Sequence, residues 1–78
     1  MAYFYKTSIG SFSIRPDPHG PGRWCLYIDD LCLGSYASPE MAADDVYLCA
    51  TGFYEWDRQE TVDHPAELAE WIALRPQR

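Results

Sequence analysis

Residues 22–47, GRWCLYIDDLCLGSYASPEMAADDVY, decide the fold of this chain. Segments 23–28 and 31–36 alternate around Asp29 and Asp30, which predicts two strands joined by a two-residue turn. Residues directly opposed across such a turn share a face of the sheet, so the predicted register produces one continuous apolar surface. Its members are Trp24, Leu26, Ile28, Leu31 and Leu33. We predict that this surface packs against the core.

The opposite face of the same ribbon is amphipathic. It carries Cys25, Tyr27, Cys32, Gly34 and Tyr36. A solvated strand face usually carries charged residues and threonine, which this face lacks. Because Gly34 has no side chain, we also predict a shallow dip between the two tyrosine rings. Two alternatives follow. Either the segment FYEWD and the C-terminal region cover this face, or it stays open as a binding surface.

The second half of the stretch predicts the main helix. Ser38 is a hydroxyl cap, Pro39 fits the first turn, and Glu40 lies near the positive end of the helix dipole. Apolar residues then recur at helical spacing as far as Gly52, which we expect to end the helix. The small residues at 42 and 43 predict a close approach of this helix to the sheet.

The flanking segments complete an α+β prediction. Residues 12–15 read as a third strand, residues 3–6 as a possible fourth, and residues 65–73 as a short C-terminal helix. The predicted fold is therefore a three- or four-stranded antiparallel sheet packed on one main helix. It forms a single domain, 1–78, with a core at 12–52 and a C-terminal extension at 53–78.

Two motifs carry a family resemblance over about residues 12–52. GRWCLYIDD (22–30) followed by LGSYASPEMAADDVY (33–47) resembles the plant ethylene-response-factor DNA-binding domain and its integrase arm-binding relatives. That family has a glycine–basic–aromatic start, a Leu-Gly-small-aromatic strand end, and a Ser/Thr-capped, alanine-rich helix. The resemblance implies three strands packed on a helix, with the sheet face away from the helix laid into the DNA major groove.

The residues expected to contact DNA are largely missing. Tyr27 and Asp29 fall where the family has a glutamate and an arginine, and Asp30 and Cys32 fall near its other arginine and its tryptophan. Arg15 alone occupies a basic position. Because phosphate neutralisation and arginine–guanine pairs supply DNA affinity and specificity, the resemblance implies the fold more than the function.

Charge and composition favour a protein partner. The chain has 12 acids, 6 bases and a net charge of −6, which repels nucleic acid and anionic lipid. No segment predicts a signal peptide or a membrane anchor. Three cysteines with no CxxC spacing predict free thiols in a reducing compartment. We therefore expect a soluble cytoplasmic protein.

No segment predicts catalysis or metal binding. His19 lies in a Pro/Gly-rich loop, His64 precedes a proline, and neither has ligand spacing to a cysteine. The acid pairs at 29–30 and 44–45 read as a turn and a solvated helix face. We expect no cofactor, no metal, no catalytic residue and no enzymatic activity, and we expect the cysteines to act as small apolar filler.

The leading hypothesis is an acidic protein-interaction module. Its alternative is a nucleic-acid-associated protein, either a degenerate DNA-binding domain or an acidic DNA mimic. The run at 53–56 predicts packing, or an aromatic contribution to a binding site. The candidate partner-binding residues are Tyr27, Tyr36, Cys32, Cys25, Arg15 and Trp56.

Overall fold

A computed structural model describes residues 2–58 and 68–74 of the chain. The elements are β1 (Ala2–Lys6), β2 (Ser11–Pro16), β3 (Trp24–Ile28), β4 (Leu31–Tyr36), α1 (Pro39–Tyr47), α2 (Tyr54–Asp57), a 3-10 turn (Leu68–Glu70) and β5 (Ile72–Leu74). The strands form one antiparallel sheet in the order β4-β3-β2-β1-β5. The predicted α+β class, with an antiparallel sheet on one main helix, is confirmed.

The sheet has more strands than the three or four predicted. β1 pairs with β2, and β5 pairs with the outer side of β1. The short helix lies at Tyr54–Asp57, whereas the predicted C-terminal helix is wrong from residue 68 onwards, where a 3-10 turn leads into β5. Its first residues, 65–67, lie outside the described part. The apolar run at 71–74 is too short for periodicity to distinguish a helix from a strand.

The hairpin contains an irregularity that the predicted register lacks. Ile28 lies opposite Leu31 as predicted, and Asp29 closes the turn with a positive φ of 50°. Beyond the pair of Tyr27 and Cys32, however, β4 contains one extra residue, Leu33. The register therefore shifts, and Leu26 lies opposite Gly34. This β-bulge reverses the side-chain alternation for the rest of β4.

α1 begins where the sequence predicts and ends early. The Ser38 hydroxyl accepts a hydrogen bond from the backbone N–H of Met41 at 3.3 Å. The helix ends because Cys49 adopts a positive φ of 55°, while the N–H of Ala50 bonds to the carbonyl of Asp45. This is the Schellman arrangement, with cysteine in the place usually taken by glycine. The predicted stop at Gly52 is therefore three residues too late.

The core lies between α1 and the sheet and is not confined to residues 12–52. Phe12, Ile14 and Leu26 are fully buried in it. Two tryptophans from the predicted extension also belong to it: the ring centroids of Phe12 and Trp56 lie 4.9 Å apart, and those of Tyr5 and Trp71 lie 5.5 Å apart. Trp56 and Trp71 thus pack in the same core as the strands.

Candidate functional site on the open sheet face

The sheet face opposite α1, here called the open face, is covered by none of the helices in the described residues. α1 contacts β2, β3 and β4 from the core side, and α2 contributes Trp56 to the same side. Strand register places one residue of each strand in a single row across the open face. In sheet order the row is Cys32, Tyr27, Ser13, Phe4 and Ile72.

The middle of this row is a depression, here called the Ser13 dip. The small Ser13 side chain lies between the larger Phe4 and Tyr27 of the neighbouring strands and is only 6% exposed. The dip has a volume of about 400 Å³. Its lining consists of Phe4, Ser11, Ser13, Arg15, Asp29 and Asp30. A depression with an aromatic wall can accept an apolar side chain of a partner.

Arg15 is held against Tyr27 at one end of the dip. The guanidinium carbon of Arg15 lies 3.9 Å from the centroid of the Tyr27 ring, which is a cation–π contact. Partial burial raises the pKa of Tyr27, and the neighbouring Cys25 thiol raises it further. The phenol therefore stays neutral at physiological pH. The pair offers a planar, amphipathic surface with one positive charge.

Two acids lie at the other end of the dip. Asp29 is tied to β2, because its Oδ1 accepts the backbone N–H of Ser11 at 3.1 Å and its own N–H donates to the Ser11 carbonyl at 2.8 Å. Asp30 is exposed beside it. Opposite charges thus lie at the two ends of the dip, and Phe4 provides its apolar wall. A partner that presents an apolar side chain beside a basic one would complement both features.

The predicted dip at Gly34 is wrong, and Tyr36 does not belong to the open face. The bulge at Leu33 turns Gly34 and Tyr36 towards α1, where Tyr36 lies opposite Trp24. The Tyr36 hydroxyl donates a 2.8 Å hydrogen bond to Asp45 of α1. Burial, followed by this hydrogen bond, raises the pKa of Tyr36 well above its usual value.

Trp56 does not belong to a binding surface either. Its side chain is 3% exposed, and its Nε1 donates a 2.8 Å hydrogen bond to the carbonyl of Val46 near the end of α1. Of the predicted aromatic run, Tyr54 is the exposed member. The packing alternative for this segment therefore holds for Trp56.

Arg15, Tyr27, Cys25 and Cys32 do lie on the open face. Cys25 is buried there between Arg15 and Ser35 of the neighbouring strands, and burial raises its pKa, with the Asp17 carboxylate adding to the effect. Cys32 is exposed at the end of the row, so it is not core filler. All three cysteines are free.

Sequence reasoning missed Phe4, Ser13 and Ile72 as members of this face. The alternation within 2–6 and within 11–16 does show which residues of the same strand share a face with Phe4 or with Ser13. That they are neighbours follows only from the order of the strands, which alternation does not specify. Ile72 joins the row because β5 pairs with β1, a contact between distant parts of the chain.

The described residues contain no group of three His, Cys, Asp or Glu side chains able to hold a metal ion, and no helix long and apolar enough to cross a membrane. His19 is exposed in its loop, and His64 lies outside the described part. No protein family, curated protein or solved structure gives a significant match to this chain. The resemblance to the ethylene-response-factor domain therefore stays a prediction.

Proposed function

We propose that this protein is a small protein-interaction module that binds its partner through the open face. The observation that carries the proposal is the row of Phe4, Ser13 and Tyr27, with its dip, on a sheet face that no described helix covers. Tyrosine and phenylalanine supply large contact area with little loss of side-chain entropy. The proposed role is binding and not catalysis.

The electrostatics favour a partner with a basic or neutral surface. The chain carries a net charge of −6, and Asp29 and Asp30 stand at the rim of the dip. Attraction of a basic partner would raise the association rate and orient it on the face. Free thiols at Cys25, Cys32 and Cys49 support placing this interaction in a reducing compartment such as the cytoplasm.

The test compares two variants of the open face in a quantitative pull-down from the native host. Ser13→Leu fills the dip, and Tyr27→Ala removes the ring beside it. We expect both to lose a partner that the wild type retains. Amide NMR spectra that keep the wild-type dispersion would show that each variant is folded.

Tyr54→Ala is the matched control. Tyr54 is 72% exposed on α2, and Arg58 lies over its ring with 5.8 Å between the guanidinium carbon and the ring centroid, so it repeats the Arg–Tyr pair away from the open face. Partner binding should survive this change. Equal capture by the wild type and all three variants would contradict the proposal.

The alternative function, nucleic-acid association, has weaker support. Arg15 is stacked on Tyr27, and Arg23 donates to the hydroxyl and carbonyl of Ser35 at 2.8 and 3.0 Å, so each arginine is directed to a different strand. We expect duplex DNA to bind no better than the weak non-specific level of about 10⁻⁴ M at physiological salt. Micromolar, salt-dependent binding in fluorescence anisotropy would favour the alternative.

A further inference from the structure

A second cavity lies on the α1 side of the sheet. Its volume is about 490 Å³. Its lining combines residues of β1, α1, the 3-10 turn and β5: Tyr3, Glu40, Asp44, Leu68, Ala69, Trp71 and Ala73. It shares only β1 with the Ser13 dip, and the two sites share no lining residue because Tyr3 and Phe4 lie on opposite faces of that strand.

Two carboxylates stand together on one wall of this cavity. Glu40 and Asp44 are four residues apart on α1, which places them on the same side of the helix. Neither has an ion-pair partner among residues 2–58 and 68–74. Like charges at this spacing destabilise a helix slightly, so a cation bound between them would relieve their repulsion.

Trp71 provides an independent sign of an incomplete site. Its side chain is 5% exposed and is fixed by the rings of Tyr5 and Phe12, with centroids 5.5 and 6.4 Å away. Its indole Nε1 is buried and has no acceptor within the described part of the chain. An unsatisfied buried donor is uncommon and costly, so a ligand that brings an oxygen atom to it would be favoured.

We propose that this cavity binds an organic cation, an ammonium or guanidinium group on an apolar stem. Glu40 and Asp44 bind the charge, and Leu68 and Trp71 contact the stem. A carbonyl oxygen carried by the ligand accepts the hydrogen bond of Trp71 Nε1, which requires that the wall burying this atom move aside. Lysine and arginine side chains of a peptide have this chemistry, as do free amines apart from the carbonyl.

The experiment titrates the full chain with N-acetyl-lysine methylamide at low ionic strength and follows the indole N–H resonances by NMR. A Trp71→Phe variant assigns the Trp71 signal. We expect that signal to shift in a saturable manner, while the Trp56 signal stays in place because its Nε1 is bonded to Val46. N-acetyl-norleucine methylamide, which has a similar stem without the charge, should bind at least about tenfold more weakly.

The double variant Glu40→Gln/Asp44→Asn should lower the affinity roughly tenfold. Its matched control, Asp17→Asn/Glu55→Gln, removes two negative charges outside both this cavity and the Ser13 dip and should leave the affinity unchanged. Butylammonium separates the two sources of the ligand. Weaker binding than the lysine derivative identifies a peptide side chain, and equal binding identifies a free amine.

Three outcomes would overturn the proposal. The first is no shift of the Trp71 signal with either cation, and the second is an equal loss of affinity in the control double variant. The third is binding that appears only after deletion of residues 75–78, which contain Arg75 and Arg78. That result would assign the cavity to the chain's own tail.

Discussion

The two faces of the sheet are made by the same strands and differ in what covers them. On the core side, Phe12, Ile14 and Leu26 are completely buried under α1. The residues that alternate with them on the open face contact no described helix; Ser13 and Tyr27 are examples. The difference shows that alternation assigns residues to two faces, whereas the position of the helices decides which face becomes core and which remains available for binding.

The sharpest test of this comparison uses sequence neighbours on opposite faces. Leu26→Ala should lower the free energy of unfolding by about 2–5 kcal/mol, because it opens a cavity in a fully buried site. Tyr27→Ala should cost much less, since its ring is only partly buried. Urea denaturation of both variants measures the difference. Equal midpoints would mean that the open face is packed as tightly as the core.

A smaller effect is expected for Trp56, which sequence reasoning assigned to the binding face. Trp56→Phe removes the hydrogen bond from Nε1 to the Val46 carbonyl and leaves part of a buried site empty. We expect a loss of about 1–3 kcal/mol in the free energy of unfolding. Partner binding by the folded protein should be unchanged, and a selective loss of binding would return Trp56 to the site.

Tyr36 gives a test that depends on pH. Its pKa is raised in the folded protein, whereas in the unfolded chain it titrates near 10. Above pH 10 the unfolded state therefore ionises first, and the free energy of unfolding falls as the pH rises through the folded pKa. Tyr36→Phe should cost about 1 kcal/mol at neutral pH and should show a weaker decline at alkaline pH.

Urea unfolding of the wild type and Tyr36→Phe at a series of pH values measures this difference. Tyr54→Phe is the control, since Tyr54 is exposed and the pH dependence should remain that of the wild type. Parallel curves for the wild type and Tyr36→Phe would show that the Tyr36 hydroxyl is not bonded to Asp45.

The smallest expected effect is a difference in reactivity between two thiols, with no change in the free energy of unfolding. Cys32 is exposed at the end of the open-face row, whereas Cys25 is buried and its raised pKa keeps it protonated. Because the thiolate is the reactive form, a thiol reagent should label Cys32 well before Cys25. Peptide mass mapping after brief labelling measures the order, and Cys32→Ser should remove the fast phase.

Local patterns predicted much of this fold. The Ser38 cap, the two-residue turn and the apolar face with Leu26 and Ile28 all follow from the chemistry of adjacent residues. The C-terminal strand did not, because β5 forms only by pairing with β1 at the other end of the chain. Pairings between distant segments leave little trace in a single sequence.

The candidate site was half predicted for a similar reason. Arg15 and Tyr27 lie on the expected face because the register between β2 and β3 is regular and the irregularity affects only β4. Tyr36 lies on the opposite face from the predicted one because the inserted residue, Leu33, reverses the alternation in the rest of β4. No residue type at that position predicts a bulge. The turn at Asp29 is compatible with both the regular and the bulged pairing, because Ile28 lies opposite Leu31 in each.

The bulge at Leu33 also affects whether two molecules of this protein can associate through their sheet edges. β4 is the outermost strand on its side of the sheet, and its free edge would be a template for pairing with another chain. An inserted residue breaks the regular spacing of the free N–H and carbonyl groups and twists the strand locally. The bulge thus discourages edge-to-edge aggregation along a strand that exposes Leu31 and Cys32 to solvent.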